Sequence, residues 1–153
     1  MRETVDPEFA AYVDAREARW LRSAYLVYGE PERAEEQLLH AFTRLALRWG
    51  KEDDPDAFVQ RLLYQPALSR RSRPKPFQDD DEDEHPVKVA LAGLSPAQRA
   101  VLVLLYFDEL TEFEVADVLG VSHAAVHGHA QTALSALRSG LGHGDWRNAE
   151  DRR

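Results

Sequence analysis

Leu94-Ser-Pro-Ala-Gln-Arg-Ala-Val-Leu-Val-Leu-Leu-Tyr-Phe107, followed by Leu110-Thr-Glu-Phe-Glu-Val-Ala-Asp-Val-Leu-Gly-Val-Ser122, contains two helix starts of one kind. Ser95-Pro-Ala-Gln98 and Thr111-Glu-Phe-Glu114 both read as capping boxes, in which a hydroxyl accepts from the backbone three residues on and an amide or carboxylate reaches back. The pattern predicts a helix from Pro96 to about Phe107. A short helix after Thr111 should bury Val115, Ala116, Val118 and Leu119. Gly120-Val121-Ser122 makes a tight turn ending in a cap. A last helix follows, with Val126, Ala130, Leu134, Leu137 and Leu141 on one face. A short helix, a glycine turn and a longer amphipathic helix form the helix-turn-helix pattern. An ordinary helical hairpin shares the glycine turn. The spacing of Ala116, Gly120 and Val126 favours the specific motif, with Val121 and Val126 filling the wedge.

The front of the chain repeats one start signal. Asp6-Pro7, Glu30-Pro31 and Asp54-Pro55 each put an acceptor or acid at the cap and proline at the first helical position. The first helix should run to about Tyr28, with Phe9, Val13, Trp20, Ala24 and Val27 inward, and end at Gly29. The second should span about Pro31 to Trp49, with Ala34, Leu38, Ala41, Phe42, Leu45 and Trp49 inward. The third begins at Pro55 with Phe58, Leu62 and Leu63 inward, and Pro66 should kink or stop it near Gln65. No segment alternates as a strand would, so the expected class is all-α: a front three-helix unit over 6–71 and a rear helix-turn-helix unit over 91–141.

Between them, residues 72–90 carry three prolines and a run of six acids from Asp79 to Glu84. Such a stretch repels itself and stays solvated, which makes it a linker. A sharper reading has the acids imitate nucleic acid and mask a basic surface. Residues 142–153 are expected to form a mobile tail. Of the net charge of −8, the segment 76–93 contributes −5 and 94–140 contributes −3, while the rest balances. One basic cluster stands out: Arg70, Arg71, Arg73 and Lys75, with Arg61 nearby. The 153-residue chain has no cysteine, which excludes disulfides and thiolate chemistry. Its longest apolar run, Ala100 to Phe107, is far short of the ~20 residues of a membrane helix. With no signal peptide visible, a soluble, cytoplasmic protein is expected.

The rear stretch quoted above resembles region 4 of extracytoplasmic-function sigma factors. The front half agrees: Phe9-Ala-Ala-Tyr-Val13, Leu21-Arg-Ser-Ala-Tyr-Leu26, Ala34-Glu-Glu36, Ala41-Phe42 and Arg48-Trp49 resemble region 2 of the actinobacterial SigE-like branch. The likeness runs in order over most of residues 9–140. It implies a two-module initiation factor whose partners are core RNA polymerase and promoter DNA, with an anti-sigma protein or another regulator as a further partner. Carried over by position, polymerase docking falls on Glu35, Glu36, Leu39 and Arg48. Capture of the minus-ten strand falls on Arg61, Arg70, Arg71 and Arg73. The recognition helix would present Ser122, His123, Ala124, His127, His129 and Gln131 to the minus-thirty-five element.

The chain also departs from that family. No lysine or arginine occurs from Ala100 to Leu137, where the family's reader is usually cationic. Every phosphate left without a cationic partner lowers the salt slope by ~0.9, so the rear module alone should bind DNA poorly. Pro66 and a missing acid alter the third helix, and His40 stands where a family acid often sits. These departures keep a second reading open, a degenerate sigma-like module that binds polymerase or another regulator without reading promoters. His123, His127 and His129 invite a metal reading, but nothing nearby clearly completes the three or four ligands a zinc site needs. Exposed polar positions are the simpler account. A third use is titration: acidification would add up to three positive charges to this helix. No glycine-rich phosphate loop, nucleophile elbow or metal signature is present. Neither catalysis nor a cofactor is expected.

Overall fold

Proline and an acid open each front helix, and the computed structural model, which describes residues 5–69 and 91–141, shows how differently the three acids act. Helix α1 spans Pro7–Tyr28, and the Asp6 carboxylate accepts from the backbone N–H of Glu8 and Phe9. Helix α2 spans Pro31–Leu47, and Glu30 makes no capping bond through its side chain. Its extra methylene moves the carboxylate off the short-acceptor position that favours aspartate there. Helix α3 spans Pro55–Tyr64, with Asp54 accepting from Ala57 N–H at 3.1 Å. Pro66 then acts as expected. The helix stops at Tyr64, and Gln65–Leu68 form one 3₁₀ turn.

Two details of the front unit differ from expectation. Helix α2 stops at Leu47, short of Trp49, which nevertheless packs on the core edge-on to Phe9 and tilted against Tyr12, each ring centroid 5.3 Å away. On α3, Val59, Leu63 and Tyr64 are fully buried, while Phe58 and Leu62 are only partly so. A rear element covers the Val59–Leu63 stripe, which turns that face inward rather than the Phe58–Leu62 one.

In the rear unit both capping boxes form, with reciprocal bonds between Ser95 and Gln98 and between Thr111 and Glu114. Helix α4 spans Pro96–Leu102 and continues as one π-helical turn over Val103–Phe107, where Asp108 N–H reaches the Val103 carbonyl at 3.1 Å. Helix α5 covers Glu112–Leu119 and α6 covers His123–Leu141. Val126, Ala130 and Ala133 are buried along α6, and Leu134 and Leu137 pack beside them. Leu141's side chain, Arg70, Arg71, Arg73, the segment 72–90 and the tail 142–153 lie outside the described residues.

The front and rear helices share one continuous core. Trp20, Val27, Leu45, Val59 and Leu63 belong to the same apolar cluster as Val101, Leu104, Val115, Leu119 and Val126. Arg99, fully buried, ties the two halves. Its Nε donates to the Leu91 carbonyl at 2.8 Å, one terminal nitrogen reaches Ala92 O at 3.2 Å, and the other reaches Val27 O on α1 at 3.4 Å. Burial lowers its pKa from the usual guanidinium value, and the carbonyl dipoles compensate the charge.

Candidate nucleic-acid interface

Gly120 closes α5 with φ at +68°, its N–H donating to Ala116 O at 2.9 Å. That left-handed conformation favours glycine. A Cβ there would also sit 3.2 Å from Gln65 Nε2, the amide that donates to Leu119 O at the same corner. Ser122 then caps α6 through Oγ, accepting from Ala125 N–H at 3.0 Å. Val126 is fully buried and Val121 partly so, the expected wedge. This presents Ser122, His123, Ala124, His127 and Gln131 on an exposed face, with His129 half-buried at its edge. Gly128 lies on the same face with open space where a side chain would be.

Two of these histidines are engaged, a feature the sequence reading missed. Glu112, the first residue of α5, places Oε2 at 3.1 Å from His123 Nε2 and Oε1 at 3.2 Å from His127 Nδ1. The exposed Phe113 ring stacks on His123 with centroids 4.2 Å apart and planes 13° apart. His123 is thus held between an aromatic face and a carboxylate. The signal was present but faint: an acid and an aromatic opening one helix, and histidines one turn apart opening the next. Among the described residues no group of three side chains is arranged to hold a metal.

The minus-ten candidates divide. Arg61 is exposed on α3, whereas the other three arginines lie outside the described residues. Helix α3 packs against α5, so its inner face is turned toward the rear unit. Arg61 lines a cleft of about 530 Å³ between α1, α3 and α5, together with Arg16, Arg19, Asp56, Gln60, Asp108 and Asp117 among others. Asp108 is its anchor, with a side chain 2% exposed. It accepts from Arg19 at 3.1 Å and from Gln60 Nε2 at 3.2 Å. Burial raises its pKa above the usual carboxylate value, while Arg19 and Gln60 partly offset that shift.

The docking candidates lie on α2. Glu35, Glu36 and Leu39 are exposed, Leu39 by 68%. Leu39 and Glu35 border a groove of about 550 Å³ between α1 and α2, walled by Phe9, Val13, Leu21, Leu38 and Phe42. Arg48 stands apart, just past the end of α2 and about 14 Å beyond Leu39 along the helix axis at 1.5 Å per residue. Its Nε pairs with Glu52 at 2.6 Å.

A buried wedge, a left-handed glycine and a capped exposed helix define a helix-turn-helix module of the DNA-reading type. Residues 90–139 match the family Sigma-70, region 4. Over 88% of its length the chain is 28% identical to the RNA polymerase sigma-E factor of Streptomyces coelicolor, covering 86% of that protein. It is 29% identical to the RNA polymerase sigma-E factor of Streptomyces avermitilis, with 88% and 85% covered. Residues 90–139 are thus similar to sigma-70 region 4, and the chain as a whole is similar to these Streptomyces sigma-E factors.

Proposed function

We propose that this chain is a transcription initiation factor that docks on core RNA polymerase and directs it to promoter DNA. The observation that carries this is the coincidence of the region 4 match with a fully formed helix-turn-helix, in a chain similar to sigma-E factors over 88% of its length. Helix α6 would enter the major groove through Ser122, His123, Ala124, His127 and Gln131, with His129 at the edge. The α1–α2 groove, with Glu35, Glu36 and Leu39 on its rim and Arg48 beyond, would meet the polymerase. Arg61, with Arg70, Arg71 and Arg73, would hold the melted minus-ten strand. Such a factor catalyses nothing itself, acts in the cytoplasm where polymerase is, and takes an anti-sigma protein or another regulator as a further partner. Among the described residues no helix is long and apolar enough to cross a membrane.

The acidic reader sets the energetics of this scheme. With no lysine or arginine from Ala100 to Leu137, the rear module gains little from counterion release, the main source of affinity for duplex DNA. Polymerase must supply the affinity, and the rear module the discrimination. Titration of core polymerase with the protein tests the docking half. Leu39→Glu should weaken the complex by about 30-fold, the scale of a 2 kcal/mol interface anchor. Equal affinity for the two forms would remove the α1–α2 groove from the interface.

A further inference from the structure

We infer that Glu112 is a positioning residue for base reading: it fixes which nitrogen of His127 carries the proton, and so which bases that histidine accepts. The inference rests on the promoter-reading role proposed above and adds a specificity rule to it. A neutral imidazole has one donor nitrogen and one acceptor nitrogen, and the hydrogen bond made by one decides the role of the other. The Glu112 carboxylate can only accept. Its Oε1 lies 3.2 Å and its Oε2 3.3 Å from His127 Nδ1, so Nδ1 carries the hydrogen and Nε2 is left as an acceptor. His123 Nε2 lies 3.1 Å from the same carboxylate. Phe113, stacked on His123, and His123, whose ring lies 6.5 Å and 25° from that of His127, keep the set in register. No lysine or arginine from Ala100 to Leu137 competes for the carboxylate, and the other acids at this end of the module, Glu109, Glu114 and Asp117, cannot donate to it.

In the major groove an outward acceptor has a defined set of partners. Cytosine offers its N4 amino group and adenine its N6 amino group, whereas guanine presents only O6 and N7 acceptors and thymine O4 and a methyl. His127 therefore selects cytosine or adenine on the strand it meets. A recognition helix with arginine or lysine at this position would select guanine instead. Glu112 itself touches no base, and its effect passes through the ring.

Two measurements test the inference. In the ¹⁵N-labelled full chain at about pH 8, long-range ¹H–¹⁵N correlations should show His127 as the Nδ1–H tautomer, the form that free histidine populates less in water. Glu112→Ala should return it to the Nε2–H form with helicity unchanged. An Nε2–H ring in the wild type would overturn the inference without any DNA present. Next, the protein bound to core polymerase selects from duplexes randomised over the minus-thirty-five element. One position should favour cytosine or adenine by about 3- to 10-fold, the worth of one hydrogen bond, and Glu112→Ala and His127→Ala should each flatten that position while leaving the others. Unchanged selection by Glu112→Ala overturns the positioning role alone. If the wild-type complex enriches no sequence, promoter reading fails and the specificity role falls with it, whatever the tautomer.

Discussion

Arg19 on α1 reaches Asp108, the residue that ends the π-helical turn of the rear unit, at 3.1 Å, and donates to the Phe107 carbonyl beside it at 2.8 Å. The pair is lopsided. The arginine side chain is 57% exposed and the carboxylate only 2%. Removing the exposed partner leaves a buried charge behind, which costs more than the pair itself is worth. Arg19→Ala should lower unfolding stability by about 1–3 kcal/mol, read by urea denaturation at neutral pH. A loss no larger than that of a surface alanine substitution would remove the pair from the boundary's energetics.

The same carboxylate gives a signed pH dependence. Burial raises the Asp108 pKa in the folded chain, so between the ordinary carboxylate range and the raised value the folded state binds more protons than the unfolded state. This contribution is fully present below the ordinary carboxylate pKa and is lost as pH rises through the folded one. Asp108→Asn lacks it. The stability of the wild type relative to Asp108→Asn should therefore improve as pH falls from about 7 toward the carboxylate range. A parallel pair of stability-versus-pH curves would contradict the assignment.

Arg99 makes a stronger demand. Truncation to alanine leaves the carbonyls of Leu91, Ala92 and Val27 without this donor and opens space at a fully buried site. A loss of about 3 kcal/mol or more is expected, with the front and rear units loosening together because the guanidinium bonds to both. Hydrogen exchange localises this: the α1 and α4 amides should both gain exchange in the variant.

Two glycines in the helix-turn-helix should behave oppositely. Gly128 is helical, and a Cβ there meets nothing within 4 Å, so Gly128→Ala should stabilise the fold by about 0.5–1 kcal/mol. Gly120 sits at φ +68° with Gln65 Nε2 3.2 Å from where a Cβ would be. Gly120→Ala should cost about 1–2 kcal/mol. Thermal denaturation of the two variants checks both signs.

The helix-turn-helix was legible because its signals are local. Ser95 with Gln98, Thr111 with Glu114, and Gly120 four residues after Ala116 act within one or two turns, and each forms as read. Pro66 ending α3 was legible for the same reason. The contacts that shape the candidate site were not. Arg19 and Asp108 are 89 residues apart, and Gln60 and Asp108 are 48 apart. Nothing in the pattern of either segment distinguishes an acid that will be buried from one that will not. The π-helical turn was hidden because one extra residue in a wholly apolar run from Ala100 to Phe107 leaves the hydrophobic pattern unbroken. The contact between Glu112 and His127, 15 residues apart, lies between these cases. It crosses one turn, but it needs the angle between α5 and α6, which only the packed wedge sets.

The acidic reader predicts an unusual salt response. Gln131 is exposed on α6, and Gln131→Lys should strengthen promoter binding by the polymerase complex. It should also steepen the fall of log affinity with log salt by about 0.9, one added phosphate contact. An unchanged slope would mean that this face of α6 does not meet the duplex.

The most direct test of the account is transcription itself. Core polymerase with and without the protein is supplied with genomic DNA of the organism that encodes it, and the 5′ ends of the transcripts are sequenced. The account predicts new start sites that appear only with the protein, each preceded at fixed spacing by the same pair of short elements. Binding to core polymerase with a start pattern identical to that of core alone would contradict it, and would leave a polymerase-binding module that reads no promoter.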